Sequence, residues 1–287
     1  MCRLFGLHAG REPVNATFWL LDAPGSLLEQ SRRNPDGFGL GTFEPDGTPE
    51  VDKAPLAAHV AELFAREARE ECSTTYVAHV RYASVGALTL ENTHPFVLDG
   101  RIFGHNGIVG DLDRVEAELG DLRAELVGST DSERLFALIT RHIRDAGGDV
   151  KAGIVSATRW LTENVELYSL NFVMASAEEL WALRYPEGNE LWVLHHTPED
   201  EPLNEHGSYG EINVVMDAAR EKPVVVIASE KMDDDPRWRE LRSGELVRVG
   251  PDLDLSIDLV LPDPPARLME LKGREAESQT ASVGEPS

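Results

Sequence analysis

The way strand-like and helix-like stretches are grouped limits this chain more than any other feature. From about residue 166 onward come VELYSLNFVMAS, ELWALRYP, ELWVLHHT, EINVVMD, KPVVVIAS and ELVRVG, short runs rich in β-branched and aromatic residues. Such runs suit pleated, packed surfaces. Turn signals at Pro186-Glu187-Gly188-Asn189 and Ser243-Gly244 separate some of them. Near the N-terminus, CRLFGLHAG and GFGLGTFEPDG also read as strands, the second hairpin-like with Pro45-Asp46-Gly47 as its turn. STTYVAHVRYAS alternates, with Val77, His79 and Arg81 on one face and Ala78, Val80 and Tyr82 on the other. RIFGHNGIVGD reads as a further strand ending in a glycine-rich turn.

Helical patterns fall between these groups, over 111–127, 131–146 and 149–163, with one earlier helix in APLAAHVAELFAREAREEC, where Leu56, Val60, Leu63 and Phe64 are helically spaced. Strands and helices cluster instead of alternating, which predicts an α+β protein with sheets buried against each other and helices outside. One domain is expected over residues 1–262, with a disordered tail, rich in Pro, Glu and Ser, over 263–287.

The 51 acidic residues against 27 basic ones give a formal charge of −24. That argues against nucleic acid or an anionic membrane as partner, since both need clustered Lys and Arg. Two cysteines, Cys2 and Cys72, do not make a disulfide framework and fit a reducing compartment. No signal peptide is visible, and no stretch approaches the roughly 18 consecutive apolar residues of a spanning helix. A soluble, cytoplasmic protein is the expectation.

Four polar features interrupt these patterns. Cys2 is the first: removal of Met1 would give it both a thiol and a free α-amine, although cysteine also packs as a small hydrophobe beside Leu4, Phe5 and Leu7. Arg81 ends a mostly apolar strand; its planar fork matches a carboxylate, and on its own it equally fits an edge arginine paired with a surface acid. In His105-Asn106-Gly107, the Asn-Gly pair commonly marks a hairpin turn. Alternatively, the Asn106 amide and the Gly107 N–H point at one oxygen and form an oxyanion hole. Thr130-Asp131-Ser132-Glu133 is rich in capping residue types, and a carboxylate there could also bind an ammonium group. Together, a nucleophile, an oxyanion-hole pair, a cation and an anion describe an amino-acid substrate with a reactive carbonyl. L-Glutamine or a γ-glutamyl amide fits.

The order of Cys2, HVRYAS, NTHPF, HNG and STDSE resembles the class II glutamine amidotransferases, as do MCRLFG, PDGFGLG and ASEKMDDDPRWREL, over residues 1 to about 250. The resemblance implies an N-terminal-nucleophile hydrolase fold, a four-layer αββα sandwich of two antiparallel sheets flanked by helices. It implies Cys2 as nucleophile with its own α-amine as base, Arg81 on the substrate α-carboxylate, Asp131 on the α-ammonium, and Asn106 with Gly107 as oxyanion hole. No cofactor and no metal are required. Small stand-alone members of this kind include γ-glutamyl hydrolases of ergothioneine-type thiol biosynthesis. In Asn34-Pro35-Asp36-Gly37-Phe38-Gly39, Asn34 and Phe38 depart from the His and Trp of many relatives.

The remaining candidates read as structure. His195 and His196 lie on opposite faces of a strand, Asp233-Asp234-Asp235 precedes Pro236 as a solvated loop, and Cys72 ends a helix facing core. Trp160, Trp181 and Trp192 fall in packing positions. Three functions stay open: a stand-alone γ-glutamyl amide hydrolase, a glutaminase subunit delivering ammonia in trans to a synthase partner, and a non-catalytic glutamine sensor. Residues near Asn34, Ser84–Asn92 and Pro198–Tyr209 are candidates for reading the leaving group, and exposed strand edges are compatible with a homodimer.

Overall fold

The computed structural model describes residues 2–82, 87–197, 222–273 and 276. Seven strands form the first sheet: β1 (Arg3–His8), β2 (Gly37–Phe43), β3 (Pro49–Ala54), β4 (Thr75–Arg81), β9 (Trp192–His196), β10 (Val224–Ala228) and β11 (Arg239–Glu240). Their order is β11-β9-β10-β1-β4-β2-β3. The second sheet holds β5 (Phe96–Leu98), β6 (Arg101–Val109), β7 (Leu167–Ala175), β8 (Leu180–Leu183), β12 (Glu245–Val249) and β13 (Leu255–Leu259), in the order β13-β12-β8-β7-β6-β5. Every pairing between neighbouring strands is antiparallel.

The near-continuous apolar runs follow from both faces of each sheet being covered. In β10, Val225 and Ile227 pack between the sheets, with Leu4, Val77, Ile102, Val173 and Val247. Val224, Val226 and Ala228 face the other way, into the core under α1 (Leu27–Gln30) and α2 (Glu62–Glu70). Outside the second sheet lie α3 (Leu112–Glu118), α4 (Asp131–Asp145) and α5 (Val150–Asn164), whose Leu135, Ile139, Ile154 and Leu161 meet Phe103, Phe172 and Leu183. The result is the expected αββα sandwich.

Several local expectations change. The helix before Cys72 covers only Glu62–Glu70; Leu56 and Val60 lie ahead of it and are 42% and 68% exposed. Cys72 is exposed instead of facing core. The pattern over 111–127 divides into α3 and a 3-10 turn over Gly120–Glu125, broken at Gly120 where φ is +58°. β5, β11 and β13 had no recognisable pattern. EINVVMD lies outside the described residues, as do residues 83–86 and all of 198–221.

The expected start of the tail at 263 is also too early. The backbone of Leu167 donates to Arg267 O (3.1 Å), Met269 donates to Leu167 O (2.8 Å) and Ala266 donates to Thr162 O (2.9 Å). Residues 263–269 are therefore tied to β7 and the end of α5. Among the described residues no helix is long and apolar enough to cross a membrane.

Candidate active site

Cys2 immediately precedes β1, a central strand held on one side by β4 and on the other by β10. Its half-buried thiol sits against the residue that follows β4: the Tyr82 N–H donates to Sγ (3.3 Å) and the thiol donates to Tyr82 O (3.4 Å). Burial raises the pKa of the Cys2 thiol above its ordinary value, with the Tyr82 backbone and the Arg81 and Arg3 guanidiniums acting in the opposite direction. A thiol in this setting needs a base to become a nucleophile.

Arg81, the last residue of β4, is 4% exposed. Its Nη1 donates to Ala87 O (3.3 Å). Burial lowers the guanidinium's pKa, while the charges of Cys2, Asp36 and Asp131 raise it. Asp36 is also fixed by its backbone N–H, which donates to Arg81 O (3.0 Å). Asn92, from NTHPF, ties this region to the start of α4. Its Nδ2 donates to Ala87 O (3.3 Å) and to Ser129 Oγ (3.2 Å), and its Oδ1 accepts from Ser129 N (2.8 Å).

Asn106 and Gly107 lie inside β6, paired with Asn171 and Leu170, so Asn-Gly is not a turn here. Asn106 crosses the space between the sheets, its Nδ2 donating to Cys2 O (2.9 Å). The second proton of that amide remains for another acceptor. Gly107 is required by close approach: an added Cβ would stand 2.0 Å from Ser169 O and 2.7 Å from His105 Nε2. Asp131 opens α4, where the helix dipole favours an anion, and its Oδ2 accepts from Val109 N (2.9 Å). Thr130 takes the capping role, accepting from Glu133 N (3.3 Å).

The elements that carry the five sequence candidates are thus joined by direct contacts: Cys2 to Tyr82 beside Arg81, Asn106 to Cys2, and Asp131 to Val109 on the strand of Asn106 and Gly107. Of the departures, Phe38 lies in the outer core against Phe64 (5.3 Å between centroids), on the far side of the first sheet. Asn34 is buried, and its Nδ2 donates to Gln30 O (3.0 Å), closing the turn after α1. The segment 198–209 lies outside the described residues. His196 is buried beside Arg237 (3.2 Å), while His195 is exposed. Asp235 pairs with Arg237 and Asp233 accepts from Trp238 Nε1 (2.7 Å), so these acids shape their own loop. Sequence reading gave Asp36 and Ser169 no role, although both sat inside quoted segments; Asn92, a candidate within Ser84–Asn92, is seen to tie Ala87 to Ser129.

The family described as "Glutamine amidotransferases class-II" matches residues 1–254. The chain belongs to the class II glutamine amidotransferases. Among relatives, a protein of unknown function from Methanocaldococcus jannaschii is 28% identical over 261 residues, covering 86% of this chain and 68% of that one. The glutamine–fructose-6-phosphate aminotransferase of Rhizobium meliloti is 32% identical over 149 residues, 52% of this chain but 23% of its own length. The structure of a glutamine aminotransferase class-II domain protein from Silicibacter pomeroyi superposes with a TM-score of 0.61 at 19% identity, covering 91% of this chain and 100% of that one. As a class II amidotransferase the protein is an enzyme of glutamine amide hydrolysis or transfer, built on the N-terminal-nucleophile fold.

Proposed function

We propose that this amidotransferase acts as a stand-alone hydrolase of the γ-amide of L-glutamine or of a γ-glutamyl conjugate, through a γ-glutamyl thioester on Cys2. The observation that carries the reading is the meeting of the Cys2 thiol, the buried Arg81, the Asn106 amide and the Asp131 carboxylate, drawn from both sheets and one helix start. Arg81 takes the α-carboxylate as a bidentate partner and Asp131 the α-ammonium, leaving the γ-carbonyl over Cys2.

After Met1 is removed, the α-amine of Cys2 accepts the thiol proton as sulfur attacks. The Asn106 amide and the Gly107 N–H stabilise the tetrahedral oxyanion. The protonated amine gives its proton to the leaving nitrogen, and ammonia or an amine departs. Water, deprotonated by the same amine, then attacks the thioester; glutamate leaves and the thiol is restored.

Glutamate release from L-glutamine and from a panel of γ-glutamyl amines and thiols, with Cys2→Ala as blank, tests this. Faster turnover of one conjugate than of glutamine identifies a specialised hydrolase. Slow turnover of glutamine alone, stimulated by a second protein, would replace this reading with ammonia delivery in trans. Glutamine binding without turnover by the Met1-processed protein would replace it with a sensor.

A further inference from the structure

His105 is buried (2% exposed) on the face of β6 opposite Asn106 and has no part in the chemistry above. Both of its ring nitrogens are engaged. Nε2 lies 3.1 Å from Ser169 O on β7, and Nδ1 lies 2.9 Å from Ser132 Oγ on α4. A carbonyl oxygen can only accept, so Nε2 carries the proton and Nδ1 accepts from the Ser132 hydroxyl. Burial lowers the pKa of His105, which keeps this neutral tautomer.

The partners of the ring are themselves next to site residues. Ser132 follows Asp131. Ser169, whose carbonyl accepts the hydrogen bond from Nε2–H, donates its own hydroxyl to Asn106 O (3.2 Å). Gly107 packs on the same bond, since its added Cβ would fall 2.0 Å from Ser169 O. One imidazole therefore spans from the helix that carries Asp131 to the strand pair that carries Asn106 and Gly107.

We infer that His105 is a positioning residue: its Ser132–His105–Ser169 bridge sets the separation between the Asp131 carboxylate and the Asn106–Gly107 donors, and so places the substrate γ-carbonyl in the oxyanion hole. This rests on the functional reading above. A substrate held at its α-ammonium by Asp131 is misplaced at the far carbonyl by any shift of α4 against β6, and an error near 1 Å can cost about 10²-fold in rate.

The test uses full-length, Met1-processed protein and two labels for Cys2: the diazoketone analogue of L-glutamine, which must be held at both ends, and iodoacetamide, which needs only the thiol. In His105→Phe and in Ser132→Ala, kcat per titrated thiol and the diazoketone rate both fall, by up to about 10²-fold. KM changes less than kcat, and the iodoacetamide rate stays that of wild type. Ser132→Thr, which keeps the hydroxyl, restores both losses. If His105→Phe does not fold, the Ser132 pair decides alone. Equal kcat and equal diazoketone rates in wild type and Ser132→Ala would overturn the inference while leaving the functional reading intact. Wild type that releases no glutamate and takes the diazoketone no faster than iodoacetamide would overturn both.

Discussion

Replacing Asn106 with alanine separates chemistry from architecture, because the structure predicts a large effect on one and a small effect on the other. The side chain makes one hydrogen bond, from Nδ2 to Cys2 O at 2.9 Å, and its Oδ1 is buried without a partner among the described residues. Losing a neutral hydrogen bond costs about 0.5–1.5 kcal/mol, whereas removing an orphaned buried acceptor returns about 1–3 kcal/mol. These nearly cancel, so the melting temperature should move by no more than about 2–4 °C, the shift expected of a change near 1 kcal/mol in a chain of this size. Loss of one oxyanion donor costs about 10²–10³ in rate, or about 2.7–4 kcal/mol of transition-state stabilisation. Glutamate release at saturating substrate, normalised to titrated thiol, measures the second quantity, and thermal unfolding measures the first. Asn106→Asp places a carboxylate oxygen against Cys2 O and should be at least as inactive. The reasoning is refuted if Asn106→Ala keeps kcat within about tenfold of wild type while losing much of its thermal stability. Asn106 would then be a strut between the sheets and no more.

Three further outcomes are expected. Arg81→Lys should raise KM for glutamine with a smaller change in kcat, because the bidentate fork is lost while the charge remains; steady-state kinetics reads it. Gly107→Ala should lose about 1–3 kcal/mol or more in urea unfolding together with activity, because the atom it would strike, Ser169 O at 2.0 Å, is backbone and cannot rotate away. Burial, aided by the Arg81 guanidinium, holds the pKa of His79 down to about 3. The folded state thus binds fewer protons than the unfolded one, so this stability is complete above the ordinary histidine pKa and is lost as pH falls from 6.5 toward 3. The unfolding free energy from urea titrations between neutral pH and pH 5 should fall by up to about 1.4 kcal/mol per pH unit for each such histidine, and His79→Phe should show a shallower slope.

The sequence made the layers readable because strands apolar on both faces have few alternatives to burial between other layers. Cys2 and Arg81 were readable for a related reason: each breaks an apolar strand pattern at its end, where it stands out. Asn106 and Gly107 were harder, since Asn-Gly favours a turn locally and only the pairing with β7 overrides that preference. Residues 263–269 were illegible because backbone groups hold them, through Leu167 and Thr162, and backbone bonding leaves no mark in side-chain periodicity. Leu56 and Val60 show the opposite error, a helical spacing that no packing partner uses.

The placement of Cys2 also has a mechanical argument behind it. A residue near a chain end ordinarily frays, because few contacts hold it. Here the adjoining strand is the fourth of seven, paired from Arg3 opposite Val80 and from Phe5 opposite Ala228. The Leu4 N–H donates to Ser229 Oγ (2.6 Å), Arg3 pairs with Glu230 (3.0 Å), and Asn106 holds the Cys2 carbonyl from the opposite sheet. The restraints therefore come from β4, from the segment after β10 and from β6, three directions around one residue. A thiol whose own amine serves as base gains nothing from proximity unless both are fixed relative to the oxyanion donors. Weakening these restraints, as in Ser229→Ala, should accordingly lower the rate of glutamate release more than it lowers the reaction of Cys2 with iodoacetamide, and an equal loss in both would show that the restraint does not reach the chemistry.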